Sequence, residues 1–228
     1  MNFLFQLWKW KSMITFLMCL TSLSGMIMLE SYKEFHINAA VGRHIQLSLA
    51  LPIDGRYPEI VWHFENNVHI ASINEDKRPS IYSAEFLERA EVHPDGHLII
   101  KKLTRADSGV YTATATFHDG MRLKTIFRLH VYEPVSKPYI SSNHHLDYST
   151  GLCKVTLTCS VTGGSDVKYS WWMKDFPNEM IPSYQRIQEN ILVVFLKKVH
   201  RYISYHCKTT NPISEEVQFI KPYNLCWK

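Results

Sequence analysis

The chain has 228 residues, 46% of them hydrophobic and 20% charged, with nine Gly and ten Pro. That length and apolar content suit one or two folded domains and exclude disordered, collagen-like and low-complexity classes. The formal net charge is +4, with 12 basic and 13 acidic residues in 26–132 against 11 and 8 in 133–228. Neither half concentrates the positive field that nucleic-acid binding uses, so no nucleic-acid role is expected.

The chain opens with Lys9 and Lys11, an apolar run from Met13 to Leu23, and the small residues Ser22, Ser24 and Gly25. Basic head, short apolar core and small-residue site read as a secretory leader over residues 1–25. An uncleaved anchor is the other reading, because Met26–Leu29 extends the apolar stretch toward the length that spans a bilayer. With no later span and no lipid-anchor tail in the sequence, the expected location is secreted, or the extracellular side of the plasma membrane. Beyond the leader, four cysteines remain: Cys153, Cys159, Cys207 and Cys226. In an oxidising compartment they read as two disulfides, with three connectivities open. A zinc site would want closer cysteine spacing, so no metal is expected.

Past the leader, short alternating or apolar runs follow one another at intervals that suit an all-β sandwich or barrel. In the first half they are Ile45–Leu51, Glu59–Phe64, His69–Ile73, Arg89–His93, His97–Lys101, Val110–Phe117 and Leu123–Val131. The Asp95-Gly96 and Asp119-Gly120 pairs between runs are hairpin signals. Residues 133–138, with prolines at 134 and 138, read as a stiff linker. The second half continues with Lys154–Val161, Val167–Met173, Ile191–Leu196, Ile203–Thr209 and Glu216–Ile220. The expected organisation is a leader at 1–25, one β-sandwich at 26–132, a linker at 133–138 and a second sandwich at 139–228.

Both halves resemble immunoglobulin domains. Asp107-Ser-Gly-Val-Tyr111 matches the turn that opens the F strand, where the tyrosine hydroxyl bonds back to the backbone, and Trp62 stands where the strand C tryptophan belongs. In the second half Cys159, Trp171 and Cys207 keep the Cys, Trp, Cys order, with Tyr205 two before the second cysteine. The resemblance implies a variable-type domain lacking the B–F disulfide, with Leu47 or Leu49 and Ala113 in its place. A constant-type domain with two bridges, Cys159–Cys207 and Cys153–Cys226, follows it. Trp62, Asp107, Tyr111, Trp171 and Tyr205 are the implied structural residues.

More narrowly, the chain resembles the SLAM (signalling lymphocytic activation molecule) family of leukocyte receptors. The matching features are the disulfide-free first domain, the Glu133–Pro138 linker, Cys153-Lys-Val-Thr-Leu-Thr-Cys159, Val167-Lys-Tyr-Ser-Trp171, Tyr205-His-Cys207, Asn211-Pro-Ile-Ser214 and the closing Cys226. The resemblance implies adhesion, homophilic or heterophilic, to an immunoglobulin-superfamily receptor on leukocytes or to a second copy, through the GFCC′ face of the first domain. A secreted isoform, a pathogen-encoded decoy and an ectodomain of a longer chain are three forms it could take. A structural adhesion protein that only self-associates is the rival reading.

Strand alternation then assigns the face. With Trp62, Tyr111 and Ala113 inward, His63, Val61 and Glu65 point out, as do Thr112, Thr114 and Thr116. Lys124, Ile126 and Arg128 follow from Phe127, Leu129 and Val131 turning inward. His69 and Ala71 are added from the next strand, and Phe117, His118 and Met121 from the F–G turn. No cofactor is expected, and enzyme motifs are missing: there is no G-x-S-x-G elbow and no phosphate-binding glycine loop.

Overall fold

The computed structural model describes residues 31–49, 57–65, 68–174 and 185–227. The leader expected at 1–25 lies outside them. In the first sandwich the strands are β1 (Ser31–Ala40), β2 (Ile45–Leu47), β3 (Glu59–Phe64), β4 (Val68–Asn74), β5 (Pro79–Ile81), β6 (Ala90–Val92), β7 (Leu98–Ile100), β8 (Gly109–Thr116) and β9 (Arg122–Tyr132). They form a six-stranded sheet, ordered β1-β9-β8-β3-β4-β5, and a three-stranded sheet, β2-β7-β6. β1 runs parallel to β9, while the other pairs are antiparallel.

Both sheets are apolar on their inner faces, and these faces form one core. Leu47, Leu98 and Ile100 come from the small sheet; Ile60, Trp62, Tyr111, Ala113, Phe127 and Leu129 come from the large one. Where many immunoglobulin sandwiches carry a disulfide, Leu47, Leu49 and Ala113 are buried instead. Two polar ties reinforce the packing. Trp62 donates its indole N–H to the Gly96 carbonyl at 2.9 Å. Gly96 has φ +90°, a backbone conformation that favours glycine, and a Cβ there would lie 2.2 Å from Ile60 Cδ1 and push it aside.

The second tie is Asp107, which is buried in a 3-10 turn before β8. Its carboxylate accepts two hydrogen bonds from the Arg89 guanidinium, at 2.9 and 2.8 Å, and one from the Thr104 backbone N–H at 2.6 Å. Its carbonyl accepts the Tyr111 hydroxyl at 2.8 Å. Burial alone would raise the Asp107 pKa, but the Arg89 and Thr104 bonds outweigh it and hold the carboxyl below its ordinary value. Burial also pushes the Tyr111 phenol up, so it stays a neutral donor.

The second sandwich is built from β10 (Tyr139–Asp147), β11 (Leu152–Ser160), β12 (Lys168–Lys174), β13 (Gln185–Gln188), β14 (Ile191–Leu196), β15 (Ser204–Asn211) and β16 (Ser214–Ile220), followed by α1 (Tyr223–Cys226). Its sheets are β10-β11-β14-β13 and β12-β15-β16. Cys159 of β11 is bonded to Cys207 of β15 and so joins the two sheets; Cys153 of β11 is bonded to Cys226 of α1. Trp171 pairs with Cys207 across β12 and β15, and Tyr205 is buried in the same core.

Between β9 and β10 the chain is pinned to the second sandwich. Glu133 and Ser165 exchange hydrogen bonds, Val135 N–H donates to Ser214 Oγ at 2.8 Å, and Ser136 N–H donates to the Gly163 carbonyl. Asn211 donates its amide to the carbonyls of Glu133 and Ser165, while its own oxygen accepts from Ile213 and Ser214. Gly164, at φ +120°, leaves room for Val135, whose Cα would lie 2.9 Å from an added Cβ.

Four strands have no counterpart in the expected set: β1, β5, β10 and β13. Ala113→Leu is expected to overpack the first core and lower stability by about 1–3 kcal/mol, read as a lower denaturant midpoint. Asp107→Asn leaves Arg89 without its anion and is expected to cost about 3 kcal/mol, at the low end for a buried pair, since a fifth of the Arg89 side chain stays in water. Because the folded pKa is depressed, this contribution is full above the ordinary 3.8 and fades as pH falls through the lower folded value. Acid unfolding of wild type and variant should therefore converge at low pH.

Candidate functional site: the outer face of the six-stranded sheet

Antiparallel partners point to the same side of a sheet, so the register fixes this face row by row. Ile60 and Trp62 turn inward, which leaves Glu59, Val61 and His63 outward. Across β3, β8 and β9 the first row is His63, Thr112 and Ile126; the second is Val61, Thr114 and Lys124; the third is Glu59, Thr116 and Arg122. Glu34 of β1 continues the first row beside Ile126 and accepts from Arg128. The Arg128 bond, against slight burial, holds the Glu34 carboxyl below its ordinary value. The rows mix threonine hydroxyls, both signs of charge and two aliphatic side chains.

The β4 side of the face departs from simple alternation. The pairing runs Trp62 to Ala71 and then His63 to His69, which makes Ile70 an extra residue in a β-bulge. Ala71, expected outward, therefore faces the core beside Trp62 and is fully buried, whereas His69 keeps its place outside. His69 stacks on His63 at 5.4 Å between ring centroids and on Tyr82 at 4.2 Å. Tyr82 shares a 3.1 Å hydrogen bond with Ser72, covering a serine that would otherwise sit open on the face. Burial first, and the His69 ring second, hold the His63 pKa below 6.5.

Four more of the expected residues are placed differently from one another. Glu65 sits past the end of β3 at φ 44°, and its carboxylate accepts the Val110 N–H at 2.8 Å, tying the strand end to β8. Phe117 is half-buried and packs against the core, because the β8–β9 turn folds it back through a bond from its N–H to the Met121 carbonyl. His118 and Met121 are exposed on the same turn, with His118 3.5 Å from Glu75 of the next loop. Sequence reasoning missed Glu34, His36, which lies opposite Arg128 and 3.6 Å from Glu34, Ser72 and Tyr82. The alternation Glu34-Phe-His-Ile-Asn-Ala39 carried a readable signal for the first two. Among the described residues, no group of three His, Cys, Asp or Glu side chains could hold a metal ion.

Both sandwiches keep the strand orders of immunoglobulin domains, variable-type and then constant-type, so the chain carries two immunoglobulin folds in tandem. Murine CEACAM1b has the same two-domain fold: TM-score 0.65, 23% identity, 81% of this chain and 94% of that one. A chain in the solved complex of a mouse coronavirus receptor-binding domain with its murine receptor matches as well: TM-score 0.62, 22% identity, 81% of this chain and 94% of that one. No protein-family model matches the chain. The sequence is 24% identical to human CD48 antigen over 211 residues, covering 91% of this chain and 82% of that protein. It is 23% identical to SLAM family member 5 of the mouse over 193 residues, 83% of this chain and 55% of that one, so it spans about half that relative's length. In fold and in sequence the chain is similar to SLAM-family proteins of the immunoglobulin superfamily.

One titration checks the geometry. In an NMR pH series the His63 midpoint is expected below 6.5, and His69→Gln is expected to move it upward while leaving it depressed by burial. A His63 midpoint unmoved by that substitution would show that the two rings are not neighbours.

Proposed function

We propose that the chain binds an immunoglobulin-superfamily receptor on leukocytes through the outer face of the six-stranded sheet. The supporting observation is the row pattern: threonine hydroxyls, charges of both signs and aliphatic side chains alternate on a broad face. Among the described residues no second layer covers it. Paired charges of both signs favour orientation and rapid encounter over tight holding. The interface is accordingly of modest size and short-lived. His63, His69, Thr112, Thr114, Thr116, Lys124, Ile126 and Arg128 form the contact, with His118 and Met121 at its upper rim. Glu65 serves by holding the end of β3 in place, and Phe117 by supporting the turn from beneath.

In this reading residues 26–132 form the recognition domain, 133–138 the linker and 139–228 the supporting domain. The protein acts on the extracellular side, either attached to a cell or as a soluble decoy that occupies the receptor. The similarity to CD48 antigen and to SLAM family member 5 supports this reading.

The test is a binding screen against leukocyte receptor ectodomains and against the chain itself. Lys124→Glu with Arg128→Glu is expected to weaken the receptor found by about tenfold or more, equal to about 1.4 kcal/mol. Substitutions on the outer face of β2-β7-β6, such as Gln46→Arg, are expected to leave binding unchanged. Self-association with no receptor captured would favour a purely adhesive protein. Binding that survives on the first face and fails on the second would contradict the proposal.

A further inference from the structure

One end of the second sandwich combines exposed cations with exposed apolar side chains. The register brings three segments together there. Asp147 closes β10 opposite Leu152, Leu196 closes β14 opposite Cys153, and Cys153 is bonded to Cys226. The Asp147–Leu152 turn, the Lys197–Tyr202 turn and the segment from Lys221 to Cys226 therefore share this end. The Arg201 guanidinium lies 5.9 Å from the Tyr223 ring and links the last two.

Lys197, Lys198, Arg201 and Lys221 are all exposed at this end. Asp147 is the one carboxylate that the described residues place beside them, and its oxygens already accept from Ser149 and Thr150. Beside the cations stand the most exposed large hydrophobics among the described residues: Tyr148 at 90%, Val199 at 79% and Tyr202 at 64% of full exposure. Hydroxyls and charges alone would suit any polyanion. An aliphatic side chain raised among lysines gains nothing from a hydrated polysaccharide, but gains burial at a lipid interface. Tyrosines favour the headgroup layer and lysines its phosphates.

We infer that this end of the second sandwich docks on an anionic phospholipid bilayer, with Val199, Tyr202 and Tyr148 entering the headgroup layer and the four cations facing its phosphates. The Cys153–Cys226 disulfide ties the first segment to the third, and the Cys153–Leu196 pairing with the Arg201–Tyr223 contact holds the second beside them, so the surface is presented already assembled. The contact is independent of the receptor-binding face, which belongs to the other sandwich.

The experiment is co-sedimentation of the purified secreted chain with vesicles of phosphatidylcholine alone or mixed with phosphatidylserine. The chain is expected to sediment with the anionic vesicles at about 0.1 M salt and to be released at about 1 M. Lys197→Glu, Lys198→Glu and Arg201→Glu together should weaken binding about 100-fold, at roughly fivefold or more per cation. Val199→Asp with Tyr202→Ser should also weaken it, with the four cations intact, and Tyr148→Ser should do so independently on the opposite turn. No sedimentation with anionic vesicles overturns the inference. So does loss in the charge variant with full binding in both apolar variants, which would make the contact purely electrostatic with no apolar insertion, or retention on heparin without any vesicle binding, which would assign the end to a sulfated polysaccharide.

Discussion

The first sandwich is held shut by one buried carboxylate. Asp107 takes a bidentate pair from Arg89, at the entry to β6 in the small sheet, and its own backbone receives Tyr111 of β8 in the large one. One residue therefore connects the two sheets at the end where no covalent bridge exists. A bidentate guanidinium–carboxylate pair has a fixed plane as well as a fixed distance, so it sets the spacing of the sheets and not just their attraction. The Trp62 bond to Gly96 does the same at a second point, between β3 and the turn before β7. With both ties in place, Leu47, Leu49 and Ala113 can fill the position of the missing disulfide by packing alone.

The outer face depends on that frame. Trp62 is locked inward, so its neighbours Val61 and His63 are held outward, and the rows across β8 and β9 follow from the pairing. Supports of the two sandwiches differ in kind. The first relies on buried polar ties and apolar packing, the second on two disulfides. The Asn211-Pro-Ile-Ser214 stretch that helped suggest the family turns out to be a clasp: Asn211 and Ser214 hold Glu133 and Val135 of the connecting segment against the second sandwich.

Much of this was legible before the fold was known, for reasons that are local. β3 and β14 have the bounds their apolar patterns suggested, and the threonine and alanine alternation in β8 marked which side faces out. Strands β5 and β13 are short edge segments with little apolar content, so periodicity had nothing to report. β10 was missed because most of its side chains are exposed on both faces, a pattern that reads as loop. β1 alternates, but its parallel partner β9 lies about ninety residues away, and such a pairing leaves no local mark. The bulge at Ile70 was equally unreadable, because it is a property of the register between two strands. That single inserted residue moved Ala71 from the expected face into the core and left His69 on it. Turn geometry and not strand alternation decides where Glu65 and Phe117 point.

The measurement that bears most directly on this account is hydrogen–deuterium exchange of the full chain with and without the receptor ectodomain that a binding screen selects. The account predicts slowed exchange in β3, β4, β8 and β9 and in the turn carrying His118 and Met121, with β2, β6 and β7 unchanged. Protection confined to β2, β6 and β7, or to the second sandwich, would contradict it.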